Sequence, residues 1–127
     1  MKRNNIIVEG SENMPFPFSL AVEKDGTVYL SAQPSMKLED GSFVAGDIEV
    51  QFNQCMYNLD QVLAAAKLTR DNVLKCNIYL TNMKDYAKVN ELFRNAFKAP
   101  HPARTCVAVA ELPLTATIEI EMIAHRN

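Results

Sequence analysis

An arginine stands in this chain where a packed strand has no use for one. In His101-Pro102-Ala103-Arg104-Thr105-Cys106 it opens the apolar run Val107-Ala108-Val109-Ala110. Burying a guanidinium is expensive unless an anion pairs with it. That anion is either a protein carboxylate, Glu119, Glu121 or one from a neighbouring subunit, or a ligand carboxylate or phosphate gripped in two parallel hydrogen bonds. Arg104 follows Pro102 where a loop enters a strand, which suits a ligand-holding role. Glu119 and Glu121 alternate with Ile118 and Ile120 and so share a strand face. Two adjacent carboxylates repel, so one is expected to be paired and the other raised in pKa or solvated. A carboxylate poised near neutrality can activate water. For Glu121 a structural charge, at a rim or inside a barrel, is the preferred reading.

The other polar candidates have plainer alternatives. Cys106 lies two residues beyond Arg104, on the same strand face. Nucleophilic catalysis would need a base beside it and a lowered pKa, and neither His101 nor His125 is placed there by the sequence. A small apolar wall residue is the better reading. Ser31 ends a strand beside a turn, where a hydroxyl usually satisfies local backbone. Asn90 sits on an apolar helical stripe and must find partners, in loop backbone or in a ligand.

The elements that would position these residues follow from periodicity and turn chemistry. Ile6-Ile7-Val8 reads as a first strand, and Ser19 to Glu23 as a second after the stiff Pro15-Phe16-Pro17-Phe18 entry. Lys24-Asp25-Gly26 is a hairpin turn, with Thr27 to Ala32 returning. Another turn is expected at Glu39-Asp40-Gly41. Asp47 can cap a helix from Ile48 to Ala66. Phe52, Cys55, Met56, Leu59, Val62, Leu63 and Ala66 would form its buried face, with Asn53, Gln54, Asn58, Asp60 and Gln61 opposite. Val73 to Leu80 alternates, predicting Leu74, Cys76, Ile78 and Leu80 inward and Lys75, Asn77 and Tyr79 outward.

Asn82 can cap a second helix, Met83 to Phe97, whose apolar stripe is Tyr86, Val89, Phe93 and Phe97. Pro100 and Pro102 end it. Strands Thr105 to Glu111 and Ala116 to Ala124 would flank a turn at Leu112-Pro113-Leu114. This order predicts an α+β fold, a mixed sheet with both helices on one face. The other face would carry Val107, Val109, Glu119, Glu121 and Ile123, too apolar for open solvent, so a homo-oligomer is expected.

Bulk composition narrows the function classes. The 127 residues suit one domain, 1–127, and 48% are hydrophobic. A net charge of -2, with basic residues scattered, gives no footprint for nucleic acid. Three widely spaced cysteines and two histidines offer no zinc signature. The odd thiol count and an N-terminal apolar stretch too short for a secretory core predict a reducing compartment, the cytoplasm. No apolar run approaches membrane-spanning length.

The landmarks together resemble the Rid (YjgF/YER057c/UK114) family, in order over almost the whole chain. They are Pro17-Phe18-Ser19, Val28-Tyr29-Leu30-Ser31-Ala32-Gln33, Gly46-Asp47-Ile48, Asn58-Leu59, Val73 to Thr81, Tyr86-Ala87-Lys88-Val89-Asn90, Pro102-Ala103-Arg104-Thr105 and Ile118 to Ala124. The resemblance implies a fold similar to chorismate mutase of the Bacillus type. It implies a homotrimer around a central barrel, with ligand clefts between subunits. It further implies hydrolysis of reactive enamines and imines, such as 2-aminoacrylate, 2-iminopropanoate and 2-iminobutanoate, to 2-oxo acids and ammonia.

By that resemblance Arg104 grips the substrate carboxylate and Glu119 positions or activates water. Phe18, Ser31, Ala32, Asn90, Thr105 and Cys106 line the pocket, and neither metal nor organic cofactor is needed. The chain departs from the family pattern at Phe18 (commonly tyrosine), Leu20 (often glutamine), Ala32 (usually glycine) and Thr105 (often serine). The segment between Asn90 and Arg104 is shortened as well. Two other functions compete: a trimer that binds small carboxylates without turnover, and a ribonuclease or translation inhibitor. The acidic charge balance argues against the last.

Overall fold

Asp25 (φ 53°) and Gly26 (φ 84°) both adopt the left-handed backbone that a two-residue hairpin turn requires. They join β2 (Ala21–Lys24) to β3 (Thr27–Pro34), locking Val22 opposite Tyr29 and Ala21 opposite Leu30. This register is the start of the site, because it sets which face β3 shows to the helices. The computed structural model describes residues 2–127, and Met1 lies outside the described residues.

The order is β1 (Asn4–Ile6), β2, β3, α1 (Ile48–Ala65), β4 (Val73–Leu80), α2 (Tyr86–Ala96), β5 (Ala103–Ala108) and β6 (Ile118–His125). The strands form one six-stranded sheet in the order β1-β2-β3-β6-β4-β5. Among the described residues only the β4–β5 pair is parallel, since α2 carries the chain back between them. The α+β expectation of a mixed sheet with two helices holds. Asp47 caps α1, its Oδ1 accepting from Val50 N at 2.9 Å. All seven residues expected on the α1 core face are buried. They meet Val28, Leu30, Cys76, Ile78, Leu80, Ile118, Ile120 and Met122 of the sheet. Truncating fully buried Ile120 to alanine would cost roughly 2–5 kcal/mol.

Several boundaries differ from expectation for identifiable reasons. β1 ends at Ile6, leaving Ile7 58% exposed. Met83–Asp85 forms a separate 3-10 turn that Asn82 caps, and α2 proper starts at Tyr86. β5 starts two residues earlier than expected and stops at Ala108. Pro113–Thr115 forms a tight turn before β6, with Leu114 off helical geometry.

Leu74 was expected inward but is 56% exposed, and Val73 is buried instead. The register against β6 slips between Val73 and Lys75, so Leu74 is the extra residue of a bulge. Asn58 was expected on the polar face of α1 and is fully buried. Its Nδ2 donates to Met36 O at 2.7 Å, and its Oδ1 accepts from Gln54 Nε2. That amide tethers the loop after β3 to the helix.

Candidate active site

Parallel pairing sets Arg104 beside Cys76 and Cys106 beside Ile78. Both therefore lie on the helix-facing side of β5, at the sheet edge under α2. There α2 presents Tyr86, Asn90 and Phe93 at helical spacing, and the guanidinium is held among them. Arg104 Nη2 donates to Asn90 Oδ1 at 2.6 Å and to the Tyr86 hydroxyl at 3.3 Å. Its central carbon stands 5.1 Å from the Phe93 ring centroid and 5.6 Å from that of Tyr86, within cation–π range of both. Asn90, Phe93, Arg94, His101, Pro102 and Arg104 line a recess of ≈ 290 Å³.

Every one of these contacts is to a neutral group. None of the ion pairs among the described residues involves Arg104. The alternative of an intrachain pair with Glu119 or Glu121 is not realised.

The glutamates occupy the opposite face. Glu119 pairs with Tyr79 of β4 and Glu121 with Asn77, on the outward side that also carries Thr105 and Val107. Glu121 is a structural charge: its Oε1 accepts from Asn77 Nδ2 at 2.9 Å and from the Tyr79 hydroxyl. That hydrogen bond, with burial, pushes the Tyr79 phenol up to about 12. Glu119 is half-buried; burial, and then the charge of Glu121, lift its carboxyl above the usual range.

Glu119 lines a cleft of ≈ 530 Å³ with Phe18, Ser31 and Ala32. The register of β3 against β6 slips between Leu30 and Gln33. This irregularity brings Ser31 and Ala32 to the cleft. The Ser31 hydroxyl donates to Ser19 O at 2.7 Å, pinning the Phe18 loop to β3. Phe18 is 50% exposed and stacks on Phe16 at 5.1 Å.

The eight expected residues thus fall into two groups that one chain does not unite. Phe18, Ser31, Ala32 and Glu119 share the outward cleft, and Arg104 and Asn90 share the recess below α2. Cys106 lies on the Arg104 face, where burial raises its thiol pKa and the Arg104 charge only partly offsets this. A thiol pKa raised in this way suits a wall residue better than a nucleophile. Thr105 is exposed on the outward face, away from the recess.

β4 separates β5 from β6, so Arg104 and Glu119 are roughly 10 Å apart across the sheet before their opposite faces are counted. Tyr86 and Phe93 were expected as core only. Their helical stripe was visible in the sequence, but nothing there marked its partner as a guanidinium.

Among the described residues there is no cluster of metal-ligating side chains, and no helix is long and apolar enough to cross a membrane. Residues 12–126 match the sequence family described as Endoribonuclease L-PSP. The chain is 38% identical over 107 residues to the 2-iminobutanoate/2-iminopropanoate deaminase of Dermatophagoides farinae, covering 84% of each protein. The crystal structure of YyfA from Yersinia pestis, of the conserved Rid protein family, superposes with a TM-score of 0.91 at 34% identity, over 98% of this chain and 100% of that one. E. coli TdcF with bound serine superposes with a TM-score of 0.81 at 30% identity, over 88% of this chain and 90% of that one. An arginine held by neutral partners, a raised glutamate in an open cleft and these matches agree: the chain belongs to the Endoribonuclease L-PSP family, which includes the Rid proteins.

Proposed function

We propose that this protein hydrolyses reactive 2-imino acids, and the enamines that tautomerise to them, to 2-oxo acids and ammonia. The observation that carries this reading is the guanidinium of Arg104, clamped in place by Asn90, Tyr86 and Phe93 yet given no carboxylate. A fork held by neutral groups keeps its full charge for an incoming anion. Relatives named as 2-iminobutanoate/2-iminopropanoate deaminases support the imine class, and serine bound to TdcF supports a small carboxylate ligand.

The site is completed between copies of the chain. The outward sheet face exposes Tyr29 (48%) and Val107 (43%), an apolar surface that suits burial against a second copy. A homotrimer brings the Arg104 edge of one subunit over the Glu119 cleft of the next. Arg104 holds the substrate carboxylate, and Ser31 and Ala32 border the reacting carbon. Glu119 takes a proton from water as its oxygen bonds to C2, and returns that proton to the imine nitrogen as the C=N pair moves onto it. The carbinolamine so formed passes a proton to nitrogen, the C–N bond breaks, and ammonia leaves as the carbonyl forms. The imine carbon is already electrophilic, so positioning and exclusion of bulk water supply most of the acceleration. No step requires a metal or organic cofactor. The three unpaired thiols fit a reducing compartment, the cytoplasm.

The test couples the protein to a pyridoxal-phosphate dehydratase that releases 2-aminoacrylate from serine. Wild type should accelerate pyruvate formation and Arg104→Ala should not. Phe18, which lacks a hydroxyl and stacks on Phe16, favours a second reading, binding of small carboxylates without turnover. A rise in melting temperature with pyruvate, but no acceleration, would select it. Ribonuclease action fits poorly: the net charge is -2, and the cleft carboxylates Glu119 and Asp40 would repel a phosphate backbone.

A further inference from the structure

The cleft around Glu119 has a wall that the hydrolysis itself does not use. Met14, Phe16, Phe18, Met36, Pro113 and Leu114 make it apolar. Leu114 is the unusual member. It sits at φ 63° and is followed by Thr115 at φ 59°, both in the left-handed region. A β-branched residue there is a genuine outlier, and such strain persists only where the surroundings impose it. The Leu114 side chain itself is not held by the core: it is 45% exposed, while Ala116 beyond the turn is buried. A strained turn therefore holds a large apolar side chain out at an open cleft.

Across the cleft the flexible end of Met14 packs against Gly41. A Cβ at that position would stand 2.7 Å from Met14 Cε, and the φ of +74° is itself suited to glycine. Asp40 lines the same space, its Oδ1 accepting from Ser42 N at 2.9 Å and from Ser42 Oγ at 2.7 Å. Those bonds hold its carboxyl below the usual range, so it is charged at neutral pH. Among the described residues, no cationic side chain lines this cleft.

We propose that Leu114 determines specificity, so that the protein prefers 2-imino acids with an uncharged apolar side chain longer than methyl. The proposal rests on the deaminase reading above and extends it to substrate class. With the substrate carboxylate on Arg104 of a second copy and C2 near Glu119, the side chain extends along the Met14, Met36 and Leu114 wall. A methyl group leaves that wall wet, whereas a branched four-carbon chain covers it. A side-chain carboxylate would meet Asp40 with no cation to pair it, and is rejected.

The experiment uses flavin amino-acid oxidases to generate imines from alanine, leucine and aspartate, with semicarbazide competing for each. The loss of semicarbazone reports hydrolysis. Wild type should show kcat/KM at least ~10-fold higher for the leucine-derived imine than for the alanine-derived one, with the aspartate-derived imine below both. Leu114→Gly, whose backbone suits the same φ, should bring the leucine-to-alanine ratio close to one, and Leu114→Met should restore most of it. Equal or reversed preference in wild type, or a ratio that Leu114→Gly leaves unchanged, overturns the proposal while the deaminase reading stands. If no imine is hydrolysed, the deaminase reading fails and binding decides the proposal. Calorimetry with 4-methyl-2-oxopentanoate and pyruvate should then give the same ~10-fold ratio and the same dependence on Leu114, and equal affinities overturn it.

Discussion

The β5–α2 edge and the β3–β6 cleft solve opposite electrostatic problems. At the edge, Arg104 has its geometry fixed entirely by neutral groups, a carbonyl oxygen of Asn90, a tyrosine hydroxyl and two ring faces. Its charge is positioned without being spent. In the cleft, Glu119 has no such support; burial and a like charge both work against its ionised form. One half attracts an anion and the other holds a carboxylate ready to take a proton. In a single chain they lie on opposite faces of the sheet, so neither can serve the other. Among the described residues, Arg104 is left without a carboxylate partner and Glu119 without a cationic one.

The largest effect should come from breaking the edge. Arg104→Ala should lower kcat/KM for 2-aminoacrylate by on the order of 10²–10³, the loss seen when a preorganised charge-stabilising donor is removed. Arg104→Lys should recover little, because an ammonium cannot reproduce the fork. Mixing inactive Arg104→Ala with inactive Glu119→Gln subunits sharpens the comparison. If each site draws the arginine from one copy and the glutamate from the next, random equal mixing restores roughly a quarter of the sites. A site built within one chain would recover nothing, and dehydratase-coupled assays of refolded mixtures distinguish the outcomes.

Breaking the cleft should be the next largest. Glu119→Gln removes the proton acceptor and should cost about 10² in kcat, the lower end of what a general base contributes. Wild-type activity should fall as pH drops through the raised Glu119 pKa, because the base must be ionised, and that acid limb should vanish in the variant. Stability should move the other way. A carboxyl with a folded pKa above its unfolded one binds protons better in the folded state. Its ionisation therefore opposes folding, and the penalty grows as pH rises from the unfolded value through the folded one. Glu119→Gln should thus melt higher than wild type at neutral pH and lose that advantage in acid, as calorimetry across pH would show. An unchanged melting point at pH 7 would mean that burial does not tax this carboxylate.

How much of this could be read from sequence follows the range of the interactions. The Asp25-Gly26 hairpin and the core face of α1 were legible because both depend on neighbours within a few residues. The parity of β5 placed Arg104 and Cys106 together, and the parity of β6 placed Glu119 and Glu121 together. The outward face of Glu119, Glu121 and Val107 was legible as well, but no local pattern encodes the parallel pairing that sets Arg104 beside Cys76, 28 residues away, under α2. Leu74 was misplaced for the same reason, since a bulge belongs to a pair of strands. Tyr86 and Phe93 carry the same 3.6-residue spacing whether they pack on a core or on a guanidinium. The turn at Leu112-Pro113-Leu114 was legible, but nothing in the sequence marked the positive φ of Leu114, a conformation that leucine rarely adopts.

A smaller effect is expected from loosening the clamp while leaving the arginine. Phe93→Leu keeps an apolar residue under α2 but removes the nearer ring face. Cation–π contacts are worth roughly 0.5–2 kcal/mol, so KM should rise about 3- to 30-fold with kcat much less affected. Tyr86→Phe retains its ring and loses only a 3.3 Å hydrogen bond, so the change should be a few-fold at most. A kcat loss as large as that of Arg104→Ala in either variant would mean that the rings do more than orient the guanidinium.

The smallest effect on turnover should come from Tyr79→Phe, which tests whether the second glutamate belongs to the scaffold. The Tyr79 hydroxyl and the Asn77 amide both donate to Glu121 Oε1 across the outward face. Deleting one donor to a charged acceptor costs roughly 1.5–3 kcal/mol when the acceptor stays unsatisfied. Glu121 is only part-buried, so water can replace the phenol in part and the loss should fall near the lower figure. Urea denaturation should therefore shift to a lower midpoint with an unchanged slope, while kcat/KM stays within about twofold of wild type. If turnover falls with stability intact, Glu121 governs the charge on Glu119 through Tyr79. The two carboxylates would then be one titrating unit rather than a catalytic group beside a structural one.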